Sequence, residues 1–244
     1  MSVKVKQAMV LLGAIISVTI SAYSAASQVK IETPLPAGLS TQAKQAEMNT
    51  IQMSDTNAQA KMNLRAILAR FNQLEAGFVQ EIRDINGELL QASKGNVVLQ
   101  KPQKLKWSVT EPEESILIAD GNTVFNIDPF VEQVTLIDQS DLTQNNPLML
   151  LVSDDESQWN GVNIQQEGNV FTLSPVEQNS SIVSVMLTFD EKKRLQRLHS
   201  TDKQQQQNVI VFQNLSTSVT ISANEFMYAT PEGWVVDDQR NQRN

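Results

Sequence analysis

The stretch that decides the fold reads Phe78-Val79-Gln80-Glu81-Ile82-Arg83, then Asp84-Ile85-Asn86-Gly87, then Glu88-Leu89-Leu90-Gln91. Short runs with strand-like composition flank Asn86-Gly87 on both sides. Asn-Gly is strongly favoured in two-residue hairpin loops, because both positions of such a turn need positive φ. The stretch therefore predicts a β-hairpin of two antiparallel strands.

Strand-like patterns continue along most of the chain. Apolar and polar residues alternate without a break over 105–110 and again over 183–190. Further strand candidates are 95–99, 115–119, 123–127, 132–137, 162–166, 170–174, 195–200, 208–215 and 219–228. Many short strands separated by turn signals predict a mainly β protein, either an antiparallel sandwich or a barrel.

Two apolar helices are expected beside the strands. The first is amphipathic, with apolar residues at helical spacing: Leu64, Ile67, Leu68, Phe71 and Leu74. We expect Gly77 to end it. A second, short helix is expected over 146–152, where Pro147 follows an Asn in the favoured first helical position. The pattern leaves two interpretations open: these stripes close an ordinary core, or the helices cover a cavity for an apolar ligand.

Composition excludes several kinds of site. The 244-residue chain has a net charge of −8, no cysteine and one histidine. It therefore has no thiol nucleophile, no disulfide framework and no Cys/His zinc site, and we predict neither a metal nor a cofactor. An acidic chain also lacks the clustered Lys and Arg that neutralise phosphates, so we do not expect a nucleic-acid partner.

The first residues have the features of an export signal. Lys4 and Lys6 precede an apolar run that ends near Ile20, and small residues follow up to Ala26. This pattern predicts a signal peptide over 1–26, cleaved after Ala26, and hence an exported protein. Residues 27–57 are polar and predict a flexible segment, followed by a single domain over 58–244.

The sequence offers little for catalysis, and we predict no catalytic residue. It contains neither a Gly-rich phosphate loop nor a Gly-x-Ser-x-Gly elbow. His199 lies within an alternating run and is best explained as an ordinary strand residue. Carboxylates cluster over 111–114 and 154–156, but a hydrolase would need two of them held at a defined distance in a cleft.

The middle of the chain resembles a known family. The residues that carry the resemblance are Phe78-Val79-Gln80, Gly95, Lys101-Pro102, Leu105-Lys106-Trp107, Pro112-Glu113-Glu114-Ser115-Ile116-Leu117, Asp120-Gly121-Asn122, Pro129-Phe130-Val131-Glu132-Gln133-Val134, Asn146-Pro147-Leu148-Met149-Leu150-Leu151 and the tail 231–240. Over about residues 64–240, the chain resembles the periplasmic outer-membrane lipoprotein carriers (the LolA family).

The resemblance implies a fold and a function. The fold is an unclosed antiparallel β-barrel, of the mainly β (α+β) class, with a helical lid over its concave apolar face. The function is that of a carrier rather than an enzyme. Such a carrier takes triacylated lipoproteins from an inner-membrane ABC-type release complex, shields their acyl chains in the periplasm and delivers them to an outer-membrane receptor. We expect it to act as a monomer.

The resemblance also implies site residues. The predicted acyl-chain contacts are Leu64, Leu68, Phe71, Leu105, Trp107, Leu148, Met149, Leu150 and Leu151. Lys101 is predicted to hold the lid closed. The family usually has Arg at this position, and Lys has three donors but no planar fork, so we expect closure that is weaker or differently hydrogen-bonded.

Two other functions remain as alternatives. One is another lipid-binding or envelope-sensing module of the same fold, although a receptor of this fold would normally carry a lipid-anchored Cys, which this chain lacks. The other is an exported hydrolase that uses carboxylates. It would need an acidic cleft instead of an apolar one, so the lining of a cavity distinguishes it.

Overall fold

A computed structural model describes residues 56–70, 72–140, 156–177 and 180–240. One α-helix, α1, spans 56–68, and residues 139–140 are also helical, at the end of a described range. The strands are β1 (Gln73–Arg83), β2 (Leu89–Gln100), β3 (Lys104–Glu111), β4 (Ser115–Ala119), β5 (Thr123–Asp128), β6 (Gln133–Asp138), β7 (Val162–Glu167), β8 (Val170–Pro175), β9 (Ile182–Phe189), β10 (Leu195–Asp202), β11 (Gln207–Ser216) and β12 (Val235–Asp238). Two short 3-10 helices span Glu156–Gly161 and Ala223–Phe226.

All twelve strands form one sheet, in the order β12-β6-β5-β4-β3-β2-β1-β11-β10-β9-β8-β7. Neighbouring strands are antiparallel, except that β12 runs parallel to β6. β7 and β12 are the two edges, and no pairing among the described residues joins them. The predicted fold class, a mainly β protein with an unclosed antiparallel sheet, is confirmed.

Helix α1 covers one face of the sheet, here called the inner face. Its residues Ala60, Leu64, Ile67 and Leu68 recur at helical spacing, and all are buried in one cluster with the strands. The inner-face residues of that cluster on the first five strands are Leu74, Ala76, Phe78, Val97, Leu99, Trp107, Val109, Leu117, Ala119 and Val124. The main core therefore lies between α1 and this face.

The opposite, outer face is covered by the segment that joins β11 to β12. Phe226 is buried there against Ile118, Ile127 and Val134, and Lys106 Nζ lies 2.9 Å from Glu225 Oε2. The strand expected over 219–228 is therefore wrong. Its apolar residues pack on the face of existing strands instead of pairing with an edge, and the chain then continues into β12.

The predicted first helix is too long. It ends at residue 68, and Leu74 and Gly77 lie in β1 instead. β1 pairs with β2 along its whole length and with β11 along most of it, and its buried residues alternate from Leu74 to Ile82. Those backbone hydrogen bonds and that alternation outweigh the helical spacing of Leu74.

The predicted β1–β2 hairpin is confirmed, with a different turn. Only Gly87 of its central pair has positive φ, at 81°. The carboxylate of Asp84 accepts hydrogen bonds from the amides of Asn86 and Glu88, at 2.9 and 2.8 Å. These bonds lower the pKa of Asp84 and close a longer loop than the two-residue turn that Asn-Gly favours.

Candidate functional site

The inner face and α1 together form the candidate site. Leu64 and Leu68 are 0% and 2% exposed, so the apolar stripe of α1 is fully removed from solvent. Met62 lies on the other side of the helix and is 57% exposed. The helix therefore covers the sheet with one face only, as a lid would.

Polar contacts tie α1 to the sheet at three points along its length. Near its start, Asn57 Nδ2 donates to Asn163 Oδ1 at 3.0 Å, and in its middle Asn63 Nδ2 donates to Gln166 Oε1 at 2.7 Å. At its other end, Lys101 Nζ donates to the carbonyl oxygen of Leu68 at 3.0 Å. The two contacts between amide side chains are exposed, and the contact of Lys101 is half-buried.

Lys101 occupies a favourable position at the end of α1. The last carbonyls of a helix have no partner within the helix and carry partial negative charge, which a Lys ammonium group complements. The Lys101 backbone is fixed as well, because its amide donates to the carbonyl of Asn72 at 2.7 Å. The side chain thus bridges the β2–β3 connection and α1.

Aromatic rings form the floor beneath the helix. Phe78 and Trp107 stack with ring centroids 3.9 Å apart and an interplanar angle of 28°. Gly95 makes room for them, since a Cβ there would lie 1.9 Å from the Ser108 carbonyl oxygen and 3.0 Å from the Phe78 ring. Leu105 is half-buried and packs against the same cluster.

A small polar cluster interrupts this apolar face. Gln80, Ser93 and Asn208 are all buried. Gln80 Nε2 donates to Asn208 Oδ1 at 2.8 Å, and Ser93 Oγ donates to Gln80 Oε1 at 3.2 Å. Gln80 follows Phe78 by two residues on the same face of β1, so the polar cluster begins next to the aromatic stack.

The predicted site residues divide into two groups. The structure brings together Leu64, Leu68 and Trp107 in one buried cluster, with Leu105 packed against it and Lys101 at its edge. The other predicted contacts lie outside the described residues: Phe71, Leu148, Met149, Leu150 and Leu151. The predicted signal peptide and most of the polar segment over 27–57 lie outside them too.

Sequence reasoning missed two contributors to the candidate site. The sequence places Ile67 in the helical stripe but does not mark it as a site residue, and it is buried beside Leu68. The sequence indicates Phe78 only as a strand and family residue. The alternation of β1 is enough to place Phe78 on the same face as Leu74. It is not enough to predict the stack of Phe78 on Trp107, because that contact depends on strand register.

A groove of about 460 Å³ at the β1–β2–β11 junction shares Phe78 and Gly95 with this site. Its lining is mostly polar: Glu75, Ala76, Gly77, Phe78, Val79, Lys94, Gly95, Asn96, Thr110, Gln213, Asn214 and Ser216. It contains one carboxylate, whereas the hydrolase alternative needs two. Within the described ranges there is no group of three or more potential metal ligands, and no helix there is long and apolar enough to cross a bilayer.

Comparison with known proteins places this geometry in a family. The family described as "Outer membrane lipoprotein carrier protein LolA" matches residues 69–229. An outer-membrane lipoprotein carrier protein of Aeromonas salmonicida is 33% identical over 183 residues, which are 75% of this chain and 91% of that protein. One from Actinobacillus succinogenes is 33% identical over 186 residues, covering 76% of this chain and 89% of the relative.

A solved structure is also similar. A LolA superfamily protein from Nitrosomonas europaea aligns with a TM-score of 0.41 and 11% identity, over 67% of this chain and 97% of that one. The family match and the two sequence relatives decide the assignment: the chain belongs to the outer-membrane lipoprotein carrier (LolA) family, which is a family of carriers and not of enzymes.

Proposed function

We propose that this protein carries acylated lipoproteins through the periplasm. It accepts them from an inner-membrane ABC-type release complex, shields their acyl chains against the inner face and delivers them to an outer-membrane receptor. The observation that carries the proposal is the construction of α1. Leu64 and Leu68 are buried against the inner face, while the polar contacts that hold the helix are a few hydrogen bonds at Asn57, Asn63 and the Leu68 carbonyl.

The energetics support an exchange between α1 and an acyl chain. Burying a Leu or Ile side chain is worth about 1.5–3 kcal/mol, so lifting Leu64, Ile67 and Leu68 off the sheet costs about 5–9 kcal/mol. Removing a chain of about 15 methylenes from water returns about 12 kcal/mol, at about 0.8 kcal/mol each. For one such chain the net gain is about 3–7 kcal/mol, so the cost of moving α1 offsets a large part of the gain and helps the carrier to release its cargo.

Lys101 is the proposed lid latch. Its hydrogen bond to Leu68 joins the moving helix to the sheet without occupying the acyl path. Phe71 and the run Leu148, Met149, Leu150 and Leu151 complete the proposed lid and acyl contacts. A methionine there suits acyl chains of varied shape because its side chain is flexible.

The proposal includes a place of action. The predicted signal peptide over 1–26 exports the chain, and the periplasm lies between the two membranes that the cargo must leave and reach. We propose that the mature protein works there as a monomer, with one lipoprotein bound at a time.

The test uses spheroplasts that contain a labelled triacylated lipoprotein. The mature protein is added, and we expect the lipoprotein to leave the membrane in a soluble one-to-one complex. A carrier of known activity, added to the same spheroplasts, shows that the release complex works. If the known carrier releases lipoprotein and this protein does not, the carrier function is wrong, and a lipid-sensing role of the same fold becomes the better hypothesis.

A further inference from the structure

Trp107 carries a buried indole N–H on the inner face of β3. Trp107 is 5% exposed, and its Nε1 has no hydrogen-bond partner among the described residues. Two other buried polar atoms there share this condition, on His199 and Tyr228. Tyr228 packs on the outer face, in the cluster around Phe226. His199 follows the inner-face residue Leu198 directly in β10, so its side chain lies on the outer face as well. Among the described strands, Trp107 is therefore the one residue with such a donor on the inner face.

A buried donor without an acceptor destabilises a folded protein. Phenylalanine would fill much of the same space and stack on Phe78 without introducing an N–H group. No described residue accepts from the Trp107 donor, and an acceptor that arrives with a ligand would satisfy it.

We propose that Trp107 Nε1 donates a hydrogen bond to an acyl carbonyl oxygen of the bound lipoprotein. The inner face then recognises the ester or amide end of a fatty chain as well as its hydrocarbon. This inference rests on the proposed function and deepens it, because it names the polar atom of the cargo that the site selects.

The surroundings of Trp107 fit this role. The ring is held by its stack on Phe78, so the N–H is fixed before a ligand arrives and little side-chain entropy is lost on binding. The polar cluster of Gln80, Ser93 and Asn208 begins two residues further along β1 from Phe78. Through Val97, Trp107 lies level with Ala76 on β1, so Phe78 stands between the indole and the polar cluster. A carbonyl bound at Trp107 therefore has the polar cluster a short distance further along the sheet, on the side where a head group could lie.

The test compares two probes that differ only in the carbonyl: methyl palmitate and hexadecyl methyl ether. Each competes with a fluorescent fatty-acid analogue for the wild-type protein and for Trp107→Phe. We expect the substitution to weaken binding of the ester by about 2- to 12-fold, the range for one hydrogen bond, and binding of the ether by less than about 2-fold. Trp234→Phe, in the outer cluster, is the matched control and should change neither.

A second measurement does not depend on the variant folding well. In the wild-type protein labelled with ¹⁵N, the Trp107 indole N–H resonance should move further downfield when the ester binds than when the ether binds, because both probes displace α1 but only the ester brings a carbonyl. Equal shifts with the two probes, or an equal ester-to-ether affinity ratio in wild type and Trp107→Phe, overturns the inference alone. If the wild-type protein binds neither probe, the carrier site itself is wrong.

Discussion

Replacing Lys101 with methionine tests the latch on α1. The substitution keeps the length of the side chain and removes its donor to the Leu68 carbonyl. Hydrogen bonds from a charged donor contribute about 1.5–3 kcal/mol when buried, and neutral ones about 0.5–1.5 kcal/mol. Because Lys101 is only half-buried, we expect a loss of about 1 kcal/mol, which raises the population of the open helix about 5-fold.

The assay is native-state hydrogen exchange at the end of α1. The Ala69 amide, which donates to the Arg65 carbonyl at 2.8 Å, reports on opening of the last helical turn. Its exchange should be about 5-fold faster in Lys101→Met than in wild type, and Lys101→Arg should restore most of the protection. Lys106→Met is the matched control, since Lys106 pairs with Glu225 on the outer face and should leave α1 unaffected.

Two results would refute this reasoning. One is unchanged exchange at Ala69 in Lys101→Met, which would mean that the hydrogen bond does not hold the helix. The other is an equal acceleration in Lys106→Met, which would mean that exchange reports global stability and not lid opening. If the latch reasoning is right, Lys101→Met should also change the transfer of bound lipoprotein to the receptor.

Three further predictions concern acceptance of cargo, packing and pH. Leu68→Glu should reduce lipoprotein release from spheroplasts at least about 10-fold, because a charge in an apolar site is strongly unfavourable. Met62→Glu changes an exposed residue of the same helix and should release lipoprotein like wild type. Equal release by both variants would show that Leu68 is not part of the site. Gly95→Ala should unfold the protein or lower its urea midpoint severely, since its Cβ would lie 1.9 Å from a backbone oxygen of β3. Gly161 has open space around it, so Gly161→Ala should change the midpoint little. Similar midpoints for the two variants would contradict the close packing at Gly95. Burial lowers the pKa of His199, aided by a nearby arginine, so the unfolded chain takes up the proton first as the pH falls. Stability should therefore decrease from about pH 7.5 to about pH 5, and His199→Gln should show a smaller decrease in urea midpoint; an identical pH dependence would show that this group contributes nothing.

Much of the fold could be predicted from the sequence because strands with one buried face show it in their alternation. The run over 105–110 is an example: it lies in β3 with Trp107 and Val109 facing the inner core. Alternation does not say what an apolar run will pack against. The run over 219–228 was expected to pair as a strand, but Phe226 instead packs onto the outer face of strands more than 80 residues earlier in the chain.

The end of α1 shows a second limit. Leu74 fits both a helical spacing with Leu64 and a strand alternation with Ala76, and single-sequence periodicity cannot choose between them. Pairing of β1 with β2 and β11 decides the outcome, and those partners lie up to about 140 residues away in the chain. Tertiary hydrogen bonding thus overrides a local pattern.

The sequence predicts which residues belong to the candidate site better than it predicts the contacts that they make. The family motif indicated Lys101 and Trp107, but the acceptor on Leu68 and the stack on Phe78 follow from how α1 and the strands meet. Neither contact joins sequence neighbours. A hydrogen bond to a backbone carbonyl leaves no trace in residue types, so no reading of the sequence could have identified it.

Locking α1 onto the sheet tests the central claim most directly. The chain has no cysteine, so Asn63→Cys and Gln166→Cys introduce a single reactive pair where the native side chains already meet at 2.7 Å. A short, reducible bifunctional reagent then joins α1 to β7 beside Leu64. We predict that the cross-linked protein releases no labelled lipoprotein from spheroplasts and that reduction of the linker restores release. Equal release before and after reduction would contradict a carrier in which α1 leaves the inner face to admit acyl chains.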